Sequence, residues 1–323
     1  MINDPKNSAP LVAVVTPVYN GAEFLADAME SVQAQTYPNI VHVILDNAST
    51  DATPEIIAAF KNRKVPLILG HNDSLLPMDQ NWNAALELIP ADAAYFRVLC
   101  ADDMLMPEAT RRMVALAESD PTITVVSTSV QRGGKSYDVG WPNDRSVFEG
   151  DEALRRYFTN AGAIEALQVM MRRDALNSAR PFFDLNVGHS SDIDAALRML
   201  KYGRFGYVHE ILCQVREHEG STTVSEMHPL KIHFNDFLIM MRRHAREAFG
   251  AEYDDIERRY LRFYFRRLLR WRFINGDARI FAVHMDLLKR IESRPGLIDF
   301  ADSFLDLILE KTGLRPAWYG YPW

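Results

Sequence analysis

Over its first 130 or so residues the chain alternates short β-branched runs with stretches of helical spacing, and this alternation constrains the fold more than any other feature. Leu11 to Thr16 ("LVAVVT") reads as a buried strand, followed by a turn at "PVYNG" and a helix from about Ala22 to Gln35. Strand "VHVIL" (Val41 to Leu45), the polar turn "DNASTD" and a helix from about Pro54 to Lys61 come next. The pattern continues with strand "PLIL" (Pro66 to Leu69), a helix near Gln80 to Ile89, strand "AYFRVL", a helix opened by Pro107 and strand "ITVVS". Proline is tolerated in a first helical turn because its missing N–H would have no helical partner there. Strands that alternate with helices imply a parallel sheet with crossover helices.

Such a sheet has one chemically useful edge. In open α/β folds ligands sit beyond the carboxyl ends of the strands, so "PVYNG", "DNASTD" and "CADD" are expected along one rim. Asp102 and Asp103 are adjacent acids that repel each other unless something positive lies between them and a ligand.

From about Gln131 to Gly150 the pattern loosens into glycine-rich and polar turns. Helical "DEALRRYF" and a strand "ALQVMM" follow, then "NVGHSSDIDAALRMLKYG", a loop entering a helix with Ser190 or Ser191 as N-cap and Gly203 as stop. A final strand and exit loop lie in "FGYVHEILCQVREHEGSTT". Beyond Pro229 the chain is helical and rich in arginine and aromatics, which divides it into residues 1–228 and a helical region, 229–323.

Bulk properties exclude some functions. A net charge of −7 argues against nucleic-acid binding, which needs a basic face. Cys100 and Cys213 have no metal-ligand spacing and read as reduced thiols of a cytoplasmic protein. The polar N-terminus lacks a signal core, and no run approaches the ~20 apolar residues of a membrane span.

The rim loops, in order and spacing, resemble those of the inverting glycosyltransferases of family two, which have the nucleotide-sugar-binding GT-A fold. "VVTPVYNGAEFLADAMESVQAQTYPNIVHVILDNASTDAT" resembles the family's opening over some forty residues. "LCADDMLMPEA" falls at its acidic metal motif, and "SSDIDAALRMLKYG" with "VREHEGST" at its catalytic aspartate and closing loop. The resemblance covers roughly Leu11 to Thr223. It implies an α/β GT-A sheet flanked by helices, a nucleoside-diphosphate-sugar donor and a divalent metal, magnesium or manganese.

The residue roles below follow from that resemblance. Asp103 would ligate the metal, and Asp102 would face the ribose or the metal's water shell; the plainer reading is that one of them caps the next helix. A dication held by carboxylates offsets the charge gathering on a departing diphosphate. Pro17, Tyr19 and Asn20 would meet the nucleotide at the first loop, with Tyr19 as a pocket wall or an ordinary packing residue. Asp46 and Asn47 would cup base and ribose, although "DNAST" is also plain turn chemistry. Relatives commonly carry a second acid where Asn47 stands, and an amide both donates and accepts, which leaves the base open. Asn72, Gln80 and Asn81 would add polar contacts.

Asp192 would be the base that deprotonates the acceptor hydroxyl, with Asp194 the second choice. Here Ser191-Asp192 stands in place of the more usual Glu-Asp pair. Arg216 and His218 would act in the closing loop, His218 also completing the metal shell; the bland reading makes His218 a solvated loop residue. Relatives often have an acid two positions before Asp102, where this chain has Cys100.

Arg258, Arg262, Arg266 and Arg270 recur at four-residue spacing, with Tyr260, Tyr264, Leu268 and Trp271 on another face. That helix would pack its aromatic face onto the catalytic domain and pair its arginines with acids, or lie on an anionic membrane surface near lipid-linked or glycan acceptors. A homodimer through this region is a further alternative. The chain is therefore expected to transfer sugar during bacterial polysaccharide, glycolipid or glycoprotein assembly. Its rivals are a catalytically silent nucleotide-sugar-binding scaffold and a nucleotidyltransferase, the latter disfavoured because "PVYNGAEF" has one glycine and no lysine.

Overall fold

The computed structural model describes residues 9–137, 140–164, 169–221 and 228–314. They form two compact units: Met1–Ala153, Gly162–Leu185 and Ser191–Glu217 in the first, and Leu154–Ala161, Asn186–Ser190 and His218–Trp323 in the second.

The first unit is built on a mixed sheet. Strands β1 (Val12–Val18), β2 (Ile40–Asp46), β3 (Leu67–His71) and β4 (Tyr95–Val98) are parallel, in the order β3-β2-β1-β4. The order continues through β9 (Met170–Arg172), β6 (Ile123–Arg132), β10 (Arg204–Val215) and β5 (Met104–Leu105). β9 runs antiparallel between β4 and β6, while β6 and β10 are parallel. Short strands β7 (Lys135–Tyr137) and β8 (Val147–Phe148) pair with β6 and β10.

Every residue of β1 and β2 is buried, as expected for strands covered on both faces. Helix α1 (Leu25–Gln33) buries Leu25, Ala28, Met29 and Val32, the one-sided spacing of an amphipathic helix. Helices α2 (Thr53–Ala59), α3 (Met78–Leu86), α4 (Ala109–Ser119), α6 (Ser191–Met199) and the start of α5 (Gly150–Phe158), which from Leu154 belongs to the second unit, complete the alternation read from the sequence.

Three details depart from that reading. The helix expected to start at Pro107 starts at Ala109, and the two-residue strand β5 lies between it and the adjacent acids. β5 pairs antiparallel with β10 through Leu105 and Cys213, and this pairing fixes the acidic loop. Gly203 does not stop α6, which ends at Met199; a Cβ at Gly203 would lie 2.4 Å from the Thr122 carbonyl oxygen, so close backbone approach explains the glycine. Ser190, a candidate N-cap, instead directs its hydroxyl to Asp236 at 3.2 Å. Of the expected strand "ALQVMM", Ala166–Gln168 lie outside the described residues.

The second unit is helical: α7 (His228–Leu230), α8 (His233–Phe249), α9 (Tyr253–Leu269, continuing as a π-turn to Ile274), α10 (Ala278–Arg290) and α11 (Leu297–Thr312). Its interior is aromatic, with Phe237 against Tyr157, Phe158 and Tyr260, and Trp271 against Phe234 and His284. Of the arginine stripe on α9, Arg262 and Arg266 pair with Asp302 and Asp306 of α11. The pairing of arginines with acids is the one expected of a packed helix, while the aromatics pack within this helical unit. Among the described residues, no helix is long and apolar enough to cross a membrane.

Candidate active site

The carboxyl ends of β1, β2 and β4 gather the predicted loops of the first unit. Val18 and Asp46 are register partners, and the Asn47 amide donates to the Val18 carbonyl at 2.8 Å. The first two loops are tied across this seam. The Asn20 amide donates to Ser49 Oγ at 2.9 Å, and Asn20 Oδ1 accepts the Thr50 amide at 2.8 Å, with Asn20 in the left-handed region at φ 48°. Asp51 accepts the amides of Ala22 and Thr53, each at 3.0 Å. Ser49, Asp51 and Thr53 are thus structural stitches that the sequence reading did not single out, although a short acid two residues before a helix start is the visible signal.

Tyr19 is 46% exposed on this rim. Pro17 lies inside β1 and is buried, so it sets the backbone course and offers no free ring face. β4 pairs with β1 only as far as Val15, which is why a residue without an N–H is tolerated two positions later.

Asp46 is 5% exposed and accepts the Ser49 amide at 3.1 Å; His71 Nδ1 lies 3.3 Å from its other oxygen. Asn47, Asn72 and Asn81 are brought together, but on one another. Asn47 Oδ1 accepts from Asn72 Nδ2 at 2.8 Å and from the Leu76 amide at 3.0 Å, while Asn47 Nδ2 donates to the Leu76 carbonyl. Asn72 Nδ2 also reaches Asn81 Oδ1 at 2.9 Å. This amide network braces the third loop against the second. Gln80 is exposed beside it.

The acidic loop follows β4. Asp103 is 5% exposed, and its Oδ1 accepts the Arg216 amide at 3.0 Å, a contact that the β5–β10 pairing sets up. Cys100 Sγ and carboxylate oxygens of Asp102 and Asp103 all lie within 4.8 Å of one another. Burial, together with the charges of Asp103, Asp102 and Asp192, pushes the Cys100 thiol well above its ordinary pKa. Asp192 is therefore close enough for its charge to act on the same cluster. The sequence places Cys100 where relatives often have an acid, two residues before Asp102, and the structure brings its thiol to the carboxylates.

The two candidate bases separate cleanly. Asp194 is 1% exposed and faces Arg198 one turn on, at 3.5 Å, while Arg198 also donates to the Phe182 carbonyl at 2.8 Å and covers the Phe182 ring. Asp192 is half-buried, takes the Ile193 amide at 2.7 Å and edges a narrow cleft with Phe96, Val98, Met171 and Phe183.

The Arg216 guanidinium rests 4.5 Å over the Phe24 ring and 3.0 Å from Asp27. Binding a phosphate would require it to leave Asp27, whose side chain is 60% exposed and holds it weakly. His218 opens the second unit's last segment and its carbonyl accepts the Ser221 amide at 3.1 Å; Thr222 and Thr223 of the closing loop lie outside the described residues.

Two adjacent carboxylates, one of them buried, fit a divalent cation, since hard oxygen donors suit magnesium and manganese. A thiol beside them adds a softer donor to the set.

A family model described as "Glycosyl transferase family 2" matches residues 13–179. The glycosyltransferase GlyG of Streptococcus pneumoniae is 26% identical over 76% of this chain and 74% of its own length. Among solved structures, TarS of Staphylococcus aureus, in complex with UDP-GlcNAc, superposes with a TM-score of 0.69 at 14% identity, over 94% of this chain and 92% of that one. The mannosyltransferase PcManGT of Pyrobaculum calidifontis, in complex with GDP-Man and Mn2+, superposes with a TM-score of 0.58 at 19% identity, covering 98% and 83%.

Proposed function

This chain belongs to glycosyl transferase family 2, and from that premise we propose an inverting, metal-dependent transfer from a nucleoside-diphosphate-sugar to an acceptor hydroxyl of a growing surface glycan, with Asp192 as the base. The observation that carries this reading is the cluster of Cys100, Asp102 and Asp103, whose donor atoms lie within 4.8 Å of one another, with Asp192 near enough for its charge to help raise the Cys100 thiol's pKa. A metal seat and a half-buried carboxylate side by side are what an in-line displacement at an anomeric carbon needs.

The nucleoside lies along the rim, with its base against Tyr19 and its ribose at Asp46 and Asp102. Asn47, Asn72 and Asn81 hold that wall in shape through their mutual hydrogen bonds. Asp103, oriented by the Arg216 amide, holds the cation. When bound, magnesium or manganese would supply charge neutralisation for the departing diphosphate. Asp192 accepts the acceptor proton as that oxygen attacks, help worth ~10² to 10⁴ in rate. Asp194 is tied to Arg198 and orients the helix instead. Arg216 can turn from Asp27 to the diphosphate. TarS and PcManGT, which bind different nucleotide-sugars, support the donor class and leave the base open.

A thermal-shift panel of nucleoside diphosphates with and without manganese tests the donor and metal assignment. Expected is stabilisation by at least one diphosphate that needs the metal and is absent in Asp103→Asn. If no diphosphate stabilises the wild-type protein with metal present, the scaffold reading gains.

A further inference from the structure

Helix α11 is amphipathic in the reverse of the usual sense. Its inner face is polar: Ser303 and Asp306 are 1% and 0% exposed, and Asp302 and Asp306 meet Arg262 and Arg266 of α9. Its outer face is apolar, with Leu297 at 90%, Ile298 at 84%, Phe304 at 60%, Leu305 at 51% and Ile308 at 45% exposure. A soluble surface does not ordinarily carry so continuous a stripe without a partner.

The geometry points to a second copy of this chain: we propose that the outer face of α11 is a homodimer seam. Leu297, Ala301, Phe304 and Ile308 follow one another at intervals of four, three and four residues, the spacing by which one helix interlocks with another. Ile298 and Leu305, seven residues apart, widen the stripe. An apolar stripe is complementary to itself, as a two-fold interface requires. The five exposed side chains offer on the order of 600 Å² per copy, or roughly 1,200 Å² for the pair, which reaches the lower bound of specific interfaces.

Charge decides against a lipid surface. From Leu297 to Ile308 the helix carries no lysine or arginine, and with Asp302 and Asp306 matched by Arg262 and Arg266 the acid left toward the outside is Asp299. Helices that lie on anionic membranes are rich in basic residues, and headgroups repel an acidic one.

The test is analytical ultracentrifugation of the full chain at micromolar concentration, for the wild-type protein and for Phe304→Glu combined with Ile308→Glu. Both residues face outward, so helix content by circular dichroism should not change. Expected is a wild-type dimer and a variant whose self-association is weaker by roughly 100-fold or more. Leu305→Lys provides a second variant with the same expected outcome should the first fail to fold. A dimer that survives both substitutions overturns the seam. So does a monomeric wild-type protein, whether the face proves to be covered by residues 315–323 or drawn to phosphatidylglycerol vesicles.

Discussion

Asp192 and Asp194 lie two residues apart on one helix in different surroundings, Asp194 facing Arg198 and Asp192 edging a cleft. Replacing Asp192 with Asn should lower turnover by ~10² or more while donor affinity stays near wild type. Asp194→Asn should behave in the opposite way. Turnover per folded molecule is largely kept, and chemical denaturation shows a loss of about 1–3 kcal/mol, because Arg198 loses a buried partner. The sequence named both aspartates as candidates but could not rank them on contacts, since the ranking rests on where Arg198 points. Cys100 is a similar case: its position before Asp102 was visible, whereas its approach to the carboxylates depends on the turn after β4. His42 is a buried group outside the site. Burial lowers its pKa to about 3, and its Nε2 meets Thr16 Oγ1 at 2.9 Å. The folded state keeps it neutral while the unfolded chain takes up a proton below about pH 6.5. Its contribution is therefore whole above pH 6.5 and is lost progressively as pH falls toward 3. Between pH 7 and pH 5, wild-type protein should lose about 2 kcal/mol more than His42→Gln, measured by urea unfolding at each pH.

At the scale of elements, the β–α alternation of the first 130 residues was legible because periodicity and turn residues report local geometry directly. β5 was not: two residues have no period, and they become a strand only because β10 is there to pair with. That short pairing matters to the site, since it brings the Arg216 amide to Asp103. The arginine stripe of α9 was also legible, while its partners were not, because the acids it meets lie forty residues on in α11. The Arg266–Asp306 pair is almost fully buried. Asp306→Leu alone should cost about 3–5 kcal/mol by leaving Arg266 charged and unmatched, whereas the double variant Arg266→Met with Asp306→Leu should recover most of that loss. Thermal unfolding of the two proteins compared with wild type checks this.

For the molecule as a whole, the sequence carried the fold class and the order of the rim loops, because family likeness resides in the loops that hold chemistry. It carried less of how those loops are braced. The amides of Asn47, Asn72 and Asn81 hydrogen-bond one another across three segments, a relation that no local pattern announces. On the proposed function, a rim braced in this way would leave little to reorganise when the nucleotide arrives. The central claim is that Asp192 supplies the base beside a metal seat at Asp102 and Asp103. Its most direct test is the rate of sugar transfer by Asp192→Asn at saturating donor and manganese, with donor binding measured on the same protein. A rate at least ~100-fold below wild type with unchanged donor affinity is the expected result. Transfer at the wild-type rate would contradict it.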